Sequence, residues 1–182
     1  MNLVIVESPN KCKKIGAYLG PGYRVVATVG HFRDLPARGL AVDLETMTPT
    51  YEVHEDKKDI VKRLKAEAAG AKQVLIATDP DREGEAIGWH VAQVLNLGLR
   101  ARRVAFHEIT KKALQEAVSQ PGPIDKHLVD AQQARRVLDR IVGYQVSPLL
   151  QDLGKGLSAG RVQTATLHLV CNRERERQAF EP

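Results

Sequence analysis

Four consecutive apolar residues, Leu3-Val4-Ile5-Val6, run straight into a carboxylate, Glu7. A strand apolar at every position, with no in-out alternation, must be buried on both faces. In a globular chain that calls for a parallel sheet covered by helices. The rest of the first 120 residues keeps to this plan. Ser8 stands where an N-cap belongs, Pro9 fits the first helical position and Gly20 sits at the C-cap, so a helix follows the first strand. Residues 23–29 read as a second strand broken by Gly30, and residues 57–69 as an amphipathic helix with Ile60, Val61, Leu64 and Ala68 on its apolar stripe. A third strand over 73–77 leads into an acidic loop and a helix to about Asn96. A fourth strand over 103–106 precedes a helix that Thr110 caps and that ends near Ser119. The class is α/β.

Residues 31–54 show no clean period and contain Pro36, Gly39 and Pro49, so they form an irregular excursion, free to pack with whatever follows the first domain. Pro121-Gly122-Pro123 is the strongest punctuation in the chain. Strand signals vanish beyond it, and 125–142 and 159–178 read as helices. The expected organisation is a first domain over 1–120 and a helical segment of a second over 121–182. On 125–142 the apolar stripe is Leu128, Ala131, Ala134, Leu138 and Ile141, which leaves Gln132, Arg135, Arg136, Asp139 and Arg140 off it.

The loop after the third strand is Asp79-Pro80-Asp81-Arg82-Glu83. In open parallel sheets ligands bind beyond the carboxyl ends of strands, at a topological switch point. If the first and third strands are neighbours, Glu7, Asp79, Asp81 and Glu83 converge there. Crowded carboxylates repel unless a cation neutralises them. An oxygen-only set without His or Cys selects a hard ion, and one that leaves room for water and phosphate favours Mg²⁺. Glu83 and Glu85 also favour the positive end of the helix that starts there, but that explains neither Glu7 nor the two aspartates. An EF-hand is excluded, since its twelfth position is His90 where Glu is required.

Charge is distributed in keeping with such a centre. Residues 41–85 carry eleven acids against seven bases, inside a chain of net charge +5. A basic surface around an acidic island suits a polyanionic partner. Aromatics make up only 4%, so base stacking is not the main mode of any nucleic-acid binding. The two cysteines, Cys12 and Cys171, have no CxxC spacing, which excludes a zinc ribbon and fits a reduced, cytosolic protein. No apolar stretch approaches the length of a membrane span.

Six separated motifs then stand in order: Val6-Glu7-Ser8-Pro9-Asn10-Lys11; Gly30-His31-Phe32-Arg33-Asp34-Leu35-Pro36; the acidic loop with Gly84-Glu85-Ala86-Ile87; Phe106-His107-Glu108-Ile109-Thr110; Gln132-Gln133-Ala134-Arg135-Arg136 through Arg140; and Leu157-Ser158-Ala159-Gly160-Arg161-Val162-Gln163-Thr164. The series resembles the amino-terminal part of type IA DNA topoisomerases, nearer to topoisomerase I than to topoisomerase III. That resemblance implies a Rossmann-like Toprim sheet that binds Mg²⁺, followed by the first part of a helical domain that grips single-stranded or negatively supercoiled DNA. It implies that Glu7, Asp79, Asp81 and Glu83 are the metal and catalytic acids. It places Lys11 near the scissile phosphate and His31 beside the active site. Arg135, Arg136, Asp139, Arg161 and Gln163 match DNA-contacting or supporting positions. The protein is then a monomeric, cytoplasmic, nucleoid-associated bacterial enzyme.

The residues themselves support part of this. Lys11 lies in the first turns of its helix, near Glu7, where a phosphate or carboxylate is its natural partner. With Ser158 as N-cap, Arg161 falls in a first turn, where a positive charge costs ~0.3–1 kcal/mol that a bound phosphate would reverse. Arg135 and Asp139, four apart, also fit a simple surface pair. Trp89 and His90 read as packing residues. Gln151 stands where the family usually has Trp, and Cys12 where it has a small residue.

Enzymes of this family cut one strand with a tyrosine, and the 5′-phosphotyrosine stores the bond energy, so religation needs no ATP. None of Tyr18, Tyr23, Tyr51 and Tyr144 stands in that nucleophile's sequence context. The expectation is a piece of a longer enzyme that holds the metal end of the site, works with the remaining domains, and neither cleaves nor relaxes DNA alone. Rival readings are another Toprim nuclease or nucleotidyl transferase, and a non-catalytic DNA-binding module.

Overall fold

A computed structural model describes residues 1–181. Its element order is β1 (Asn2–Val6), α1 (Pro9–Leu19), β2 (Tyr23–Ala27), β3 (Arg33–Asp34), β4 (Glu52–Val53), α2 (Lys58–Ala69), β5 (Val74–Ile76), α3 (Arg82–Val94), β6 (Ala101–Arg103), α4 (Lys111–Ser119), α5 (Lys126–Gln151) and α6 (Arg161–Ala179). By contact density the chain divides into two compact units. One comprises Met1–Ala37 with Thr50–Gln133, and the other Arg38–Pro49 with Ala134–Pro182.

The first unit is built on a four-stranded parallel sheet in the order β2-β1-β5-β6. β1 and β5 are the inner strands, and in β1 Leu3, Val4, Ile5 and Val6 are all at most 1% exposed. The alternate side chains feed two cores, as a covered sheet requires. Leu3, Ile5 and Ile76 pack with Leu64 and Val91 on one face. Val4, Val6 and Leu75 pack with Ile15 and Leu114 on the other. Thr110 caps α4 by accepting from the Ala113 N–H at 3.3 Å, and Gly20 ends α1 with φ of 83°. Ser8 occupies the α1 N-cap position without a side-chain cap bond.

Three expectations need correction. The fourth strand lies at Ala101–Arg103, ahead of 103–106, because its pairing with β5 puts Val74 opposite Ala101 and Ile76 opposite Arg103. The excursion over 31–54 contains a short antiparallel ladder, Arg33 opposite Val53 and Asp34 opposite Glu52. The third correction concerns α5, which runs to Gln151 through Gly143 and Pro148. In the second unit the Ser147 hydroxyl anchors this last stretch, accepting from Ala159 N at 3.0 Å and lying 3.3 Å from the Ala159 carbonyl. The buried face of α5 is also rotated from the expected stripe. Val129, Gln132 and Val137 are buried, whereas Leu128, Ala131, Ala134 and Leu138 are exposed. No helix among the described residues is long and apolar enough to cross a membrane.

Candidate functional site

The sheet order places β1 and β5 side by side, with β2 reached in one direction and β6 in the other. The switch point therefore lies between the carboxyl ends of β1 and β5. Glu7 stands one residue past β1 and Asp79 three residues past β5. The Glu7 carbonyl accepts from Gly30 N at 3.1 Å and from the Thr28 hydroxyl at 3.4 Å. That bond, with positive φ at Val29 (62°) and Gly30 (75°), turns the chain sharply after β2. His31, exposed, follows that turn, and Phe32 beside it is buried.

The acidic loop is held at several points. The Thr78 hydroxyl donates to the Gly84 carbonyl at 2.6 Å. Asp81 is the N-cap of α3, its carboxylate accepting from Gly84 N at 2.7 Å. Gly84 is packed so tightly that a Cβ there would lie 2.1 Å from the Asp79 carbonyl oxygen. Gly88, one turn on, would meet Ile76 at 2.9 Å. These two glycines let α3 sit directly on the end of β5.

The four carboxylates stand at one end of the sheet, but they do not share one small volume as expected. Among the described residues no three His, Cys, Asp or Glu side chains come together closely enough to hold an ion. Three of the four carboxylates each meet a separate donor instead. Asp79 is paired with the Lys11 ammonium at 2.5 Å. Asp81 is engaged as the cap, and Glu83 accepts from the Gln132 amide at 3.1 Å. The donor chemistry nevertheless suits a hard divalent ion, since every candidate ligand atom is a carboxylate oxygen. Side-chain rotation alone would re-aim Asp79, which is 45% exposed, and Glu83, which is 39% exposed.

Two features of the site were missed by sequence reasoning. Arg103 and Glu85 form a buried ion pair at 2.6 Å beneath the loop, each 5% exposed. An arginine in a strand flanked by Val104 was the available signal. Gln132, read as lying off the buried face, is turned inward by its bond to Glu83. Trp89 and His90 do pack, and around a cation. The Arg33 guanidinium lies 5.4 Å from the Tyr51 ring centre and 5.9 Å from that of Trp89. It also reaches His90 Nδ1 at 3.4 Å. Arg33 can only donate, so His90 must be neutral there.

Burial, then the nearby charges of Arg33 and His31, push the His90 pKa down to about 3, with Asp34 opposing. In the unfolded chain this imidazole binds a proton below about pH 6.5, while in the folded chain it does so only near pH 3. Its contribution is therefore lost as pH falls, by about 1.4 kcal/mol per pH unit across that window. Urea unfolding at pH 7 and pH 5 is expected to show about 2 kcal/mol more loss for the parent chain than for His90→Gln. Equal losses in the two would contradict it.

In the second unit Asp139, Arg161 and Gln163 line one cleft of about 610 Å³, with Thr166, Leu167 and Val170. The N-cap of α6 is Gly160, so Ser158 does not cap it and Arg161 is its first residue. The cost of a cation there is offset by Asp139, whose carboxylate accepts from Arg161 Nε at 2.8 Å. Arg135 lies 3.9 Å from the same carboxylate. Asp139 thus gathers two arginines, while Gln163 folds back on the Ser158 carbonyl at 2.7 Å. Arg136, on the same helix, is half-buried.

The chain is similar to known proteins along nearly its whole length. A family model described as a Toprim domain matches residues 2–109, and one described as DNA topoisomerase matches residues 123–182. The solved structure of full-length topoisomerase I from Thermotoga maritima is 49% identical to the chain, with a TM-score of 0.92. That similarity covers 99% of this chain and 31% of that one, so the chain spans about a third of the Thermotoga protein.

Proposed function

Because the chain belongs to the type IA DNA topoisomerases, with a Toprim domain followed by the first part of the helical domain, we propose that it supplies the metal-binding half of a strand-cleaving active site. Residues 1–120 form the Toprim domain and 121–182 open the helical DNA-binding domain. The carrying observation is the placement of Glu7 and Asp79 at the ends of adjacent parallel strands, at the switch point, with the Lys11 ammonium on Asp79.

Glu7, Asp79, Asp81 and Glu83 would hold Mg²⁺. When bound, that ion stabilises negative charge on a reacting phosphodiester oxygen. Lys11 has a second role open to it. Its ammonium, 29% exposed, is a compact cation at the mouth of the site, suited to meet a DNA phosphate when Asp79 turns to another partner. His31, exposed after the turn that follows β2, would take a place beside the reacting phosphate, a role that rests on the family resemblance. In the second unit Arg135, Arg136 and Arg161 provide charge for the DNA backbone, with Asp139 orienting two of the guanidinium groups and Gln163 lining the cleft.

In the whole enzyme the reaction is ATP-independent cleavage of one strand through a 5′-phosphotyrosine, strand passage and religation, acting on single-stranded or negatively supercoiled DNA on the bacterial nucleoid. The nucleophile comes from a part of the enzyme other than these 182 residues. Tyr18 and Tyr23 pack against the core, Tyr51 against Trp89 and His90, and Tyr144 beneath Arg140. Purified chain is expected to bind Mn²⁺, read by loss of the free-ion electron paramagnetic resonance signal, and to leave supercoiled plasmid unrelaxed. Relaxation by this chain alone would overturn the division of labour. Absence of Mn²⁺ binding at millimolar concentration would overturn the metal centre.

A further inference from the structure

A guanidinium under the acidic loop is satisfied at every side. Arg103 Nε donates to Glu85 at 2.6 Å. Nη1 donates to the carbonyls of Ile76 at 3.0 Å and Val104 at 2.8 Å, and Nη2 to the carbonyl of Asp79 at 2.7 Å. Ile76 is the last residue of β5, and Asp79 the first acid of the loop. One rigid planar group therefore spans the four residues from Ile76 to Asp79, over which the chain leaves the sheet and becomes the candidate site. Glu85 extends the brace, since its other oxygen accepts from Asp125 N at 2.7 Å, just ahead of α5. Two turns into that helix, Gln132 holds Glu83.

A buried ion pair is weak evidence of stabilisation, because desolvation consumes most of its Coulombic gain. Its geometry is the more informative property. Of the acceptors available to Arg103, one is the backbone of a candidate ligand and another is a carboxylate on the helix that ligand's loop begins. We infer that Arg103, braced by Glu85, is the positioning residue of the acidic loop: it holds the Asp79–Glu83 segment in the form that presents its carboxylates. Residues that orient ligands in this way typically change metal affinity by roughly 10–100-fold when altered. The inference rests on the metal reading above for its affinity arm only.

Arg103→Lys in the full 182-residue chain keeps the charge and loses the fork, so a lysine can meet Glu85 or the Asp79 carbonyl but not all four acceptors. Hydrogen exchange at the amides of Gly84 and Glu85, both bonded to Asp81, is expected to speed up more than tenfold. Exchange at Val4, Ile5 and Ile76 in the sheet should change less than threefold. Mn²⁺ binding, followed by electron paramagnetic resonance, should weaken about tenfold. A uniform rise across loop and sheet would mean a merely structural pair and would overturn the inference, as would unchanged Mn²⁺ affinity in a folded variant. If Arg103→Lys does not fold, Glu85→Gln, nearly identical in shape, takes the same measurements, with a smaller change expected at the same two amides. Failure of the parent chain to bind Mn²⁺ would sink the metal reading and leave the exchange pattern to decide this one.

Discussion

Gly84→Ala is expected to destabilise the first unit by about 3–4 kcal/mol and to remove Mn²⁺ binding. A Cβ at this position meets the Asp79 carbonyl oxygen at 2.1 Å, its amide nitrogen at 2.8 Å and its carbonyl carbon at 2.9 Å. All three are backbone atoms, so no side chain can rotate away. Either α3 backs off the end of β5 or the acidic loop moves. Overpacking of this kind costs about 1–3 kcal/mol. The displacement also strains the Thr78–Gly84 and Gly84–Asp81 hydrogen bonds, each worth about 1 kcal/mol. Trp89, the only tryptophan, lies on α3 and reports unfolding in urea. Gly22→Ala is the control, because nothing lies within 4 Å of its would-be Cβ. A loss below about 1 kcal/mol for Gly84→Ala would show that the helix can shift freely.

The second large effect is expected at the buried pair. Arg103→Met should cost about 3–5 kcal/mol, since it leaves Glu85 buried without its cation. Folded domains of this size retain only about 5–15 kcal/mol, so the single variant is close to unfolding at 37 °C. Adding Glu85→Leu should recover a large part of the loss by removing the stranded charge, a non-additivity expected for groups in direct contact. Thermal melts of the two single variants and the double variant test this. A double variant as unstable as the two singles combined would show that the carbonyl contacts of Arg103 dominate over its partner's charge.

Much of the fold was legible because its signals are local. Leu3–Val6 is apolar at every position, and only a central strand of a covered sheet satisfies that, which is where β1 lies. Pro9, Gly20 and Thr110 mark helix ends through the geometry of their own backbone and side chains, and the structure places helix ends at each. That acids stand at strand ends was legible too, whereas the switch point needed β1 and β5 to be neighbours, which the sheet order supplied. The misreadings share one origin. The stripe on α5 was assigned by ranking residue types, so Leu128 and Ala131 were placed inward and Gln132 outward. The glutamine is buried because Glu83, forty-nine residues earlier in the chain, accepts from it. Gly143 and Pro148 weaken a helix locally, yet α5 continues through both, with Ser147 tied to Ala159.

The acidic loop shows the same division most clearly. Sequence alone determined that Asp79, Asp81, Glu83 and Glu7 would stand at the carboxyl ends of two strands, because strand ends follow from hydrophobic pattern and turn chemistry. It could not determine whom each carboxylate would meet. Lys11 lies sixty-eight residues from Asp79, and Arg103 lies eighteen from Glu85. Those partnerships depend on which strands become neighbours and in what register. Charge in a sequence states that a partner is needed; only the packed sheet, by bringing distant donors within 3 Å, decides which one.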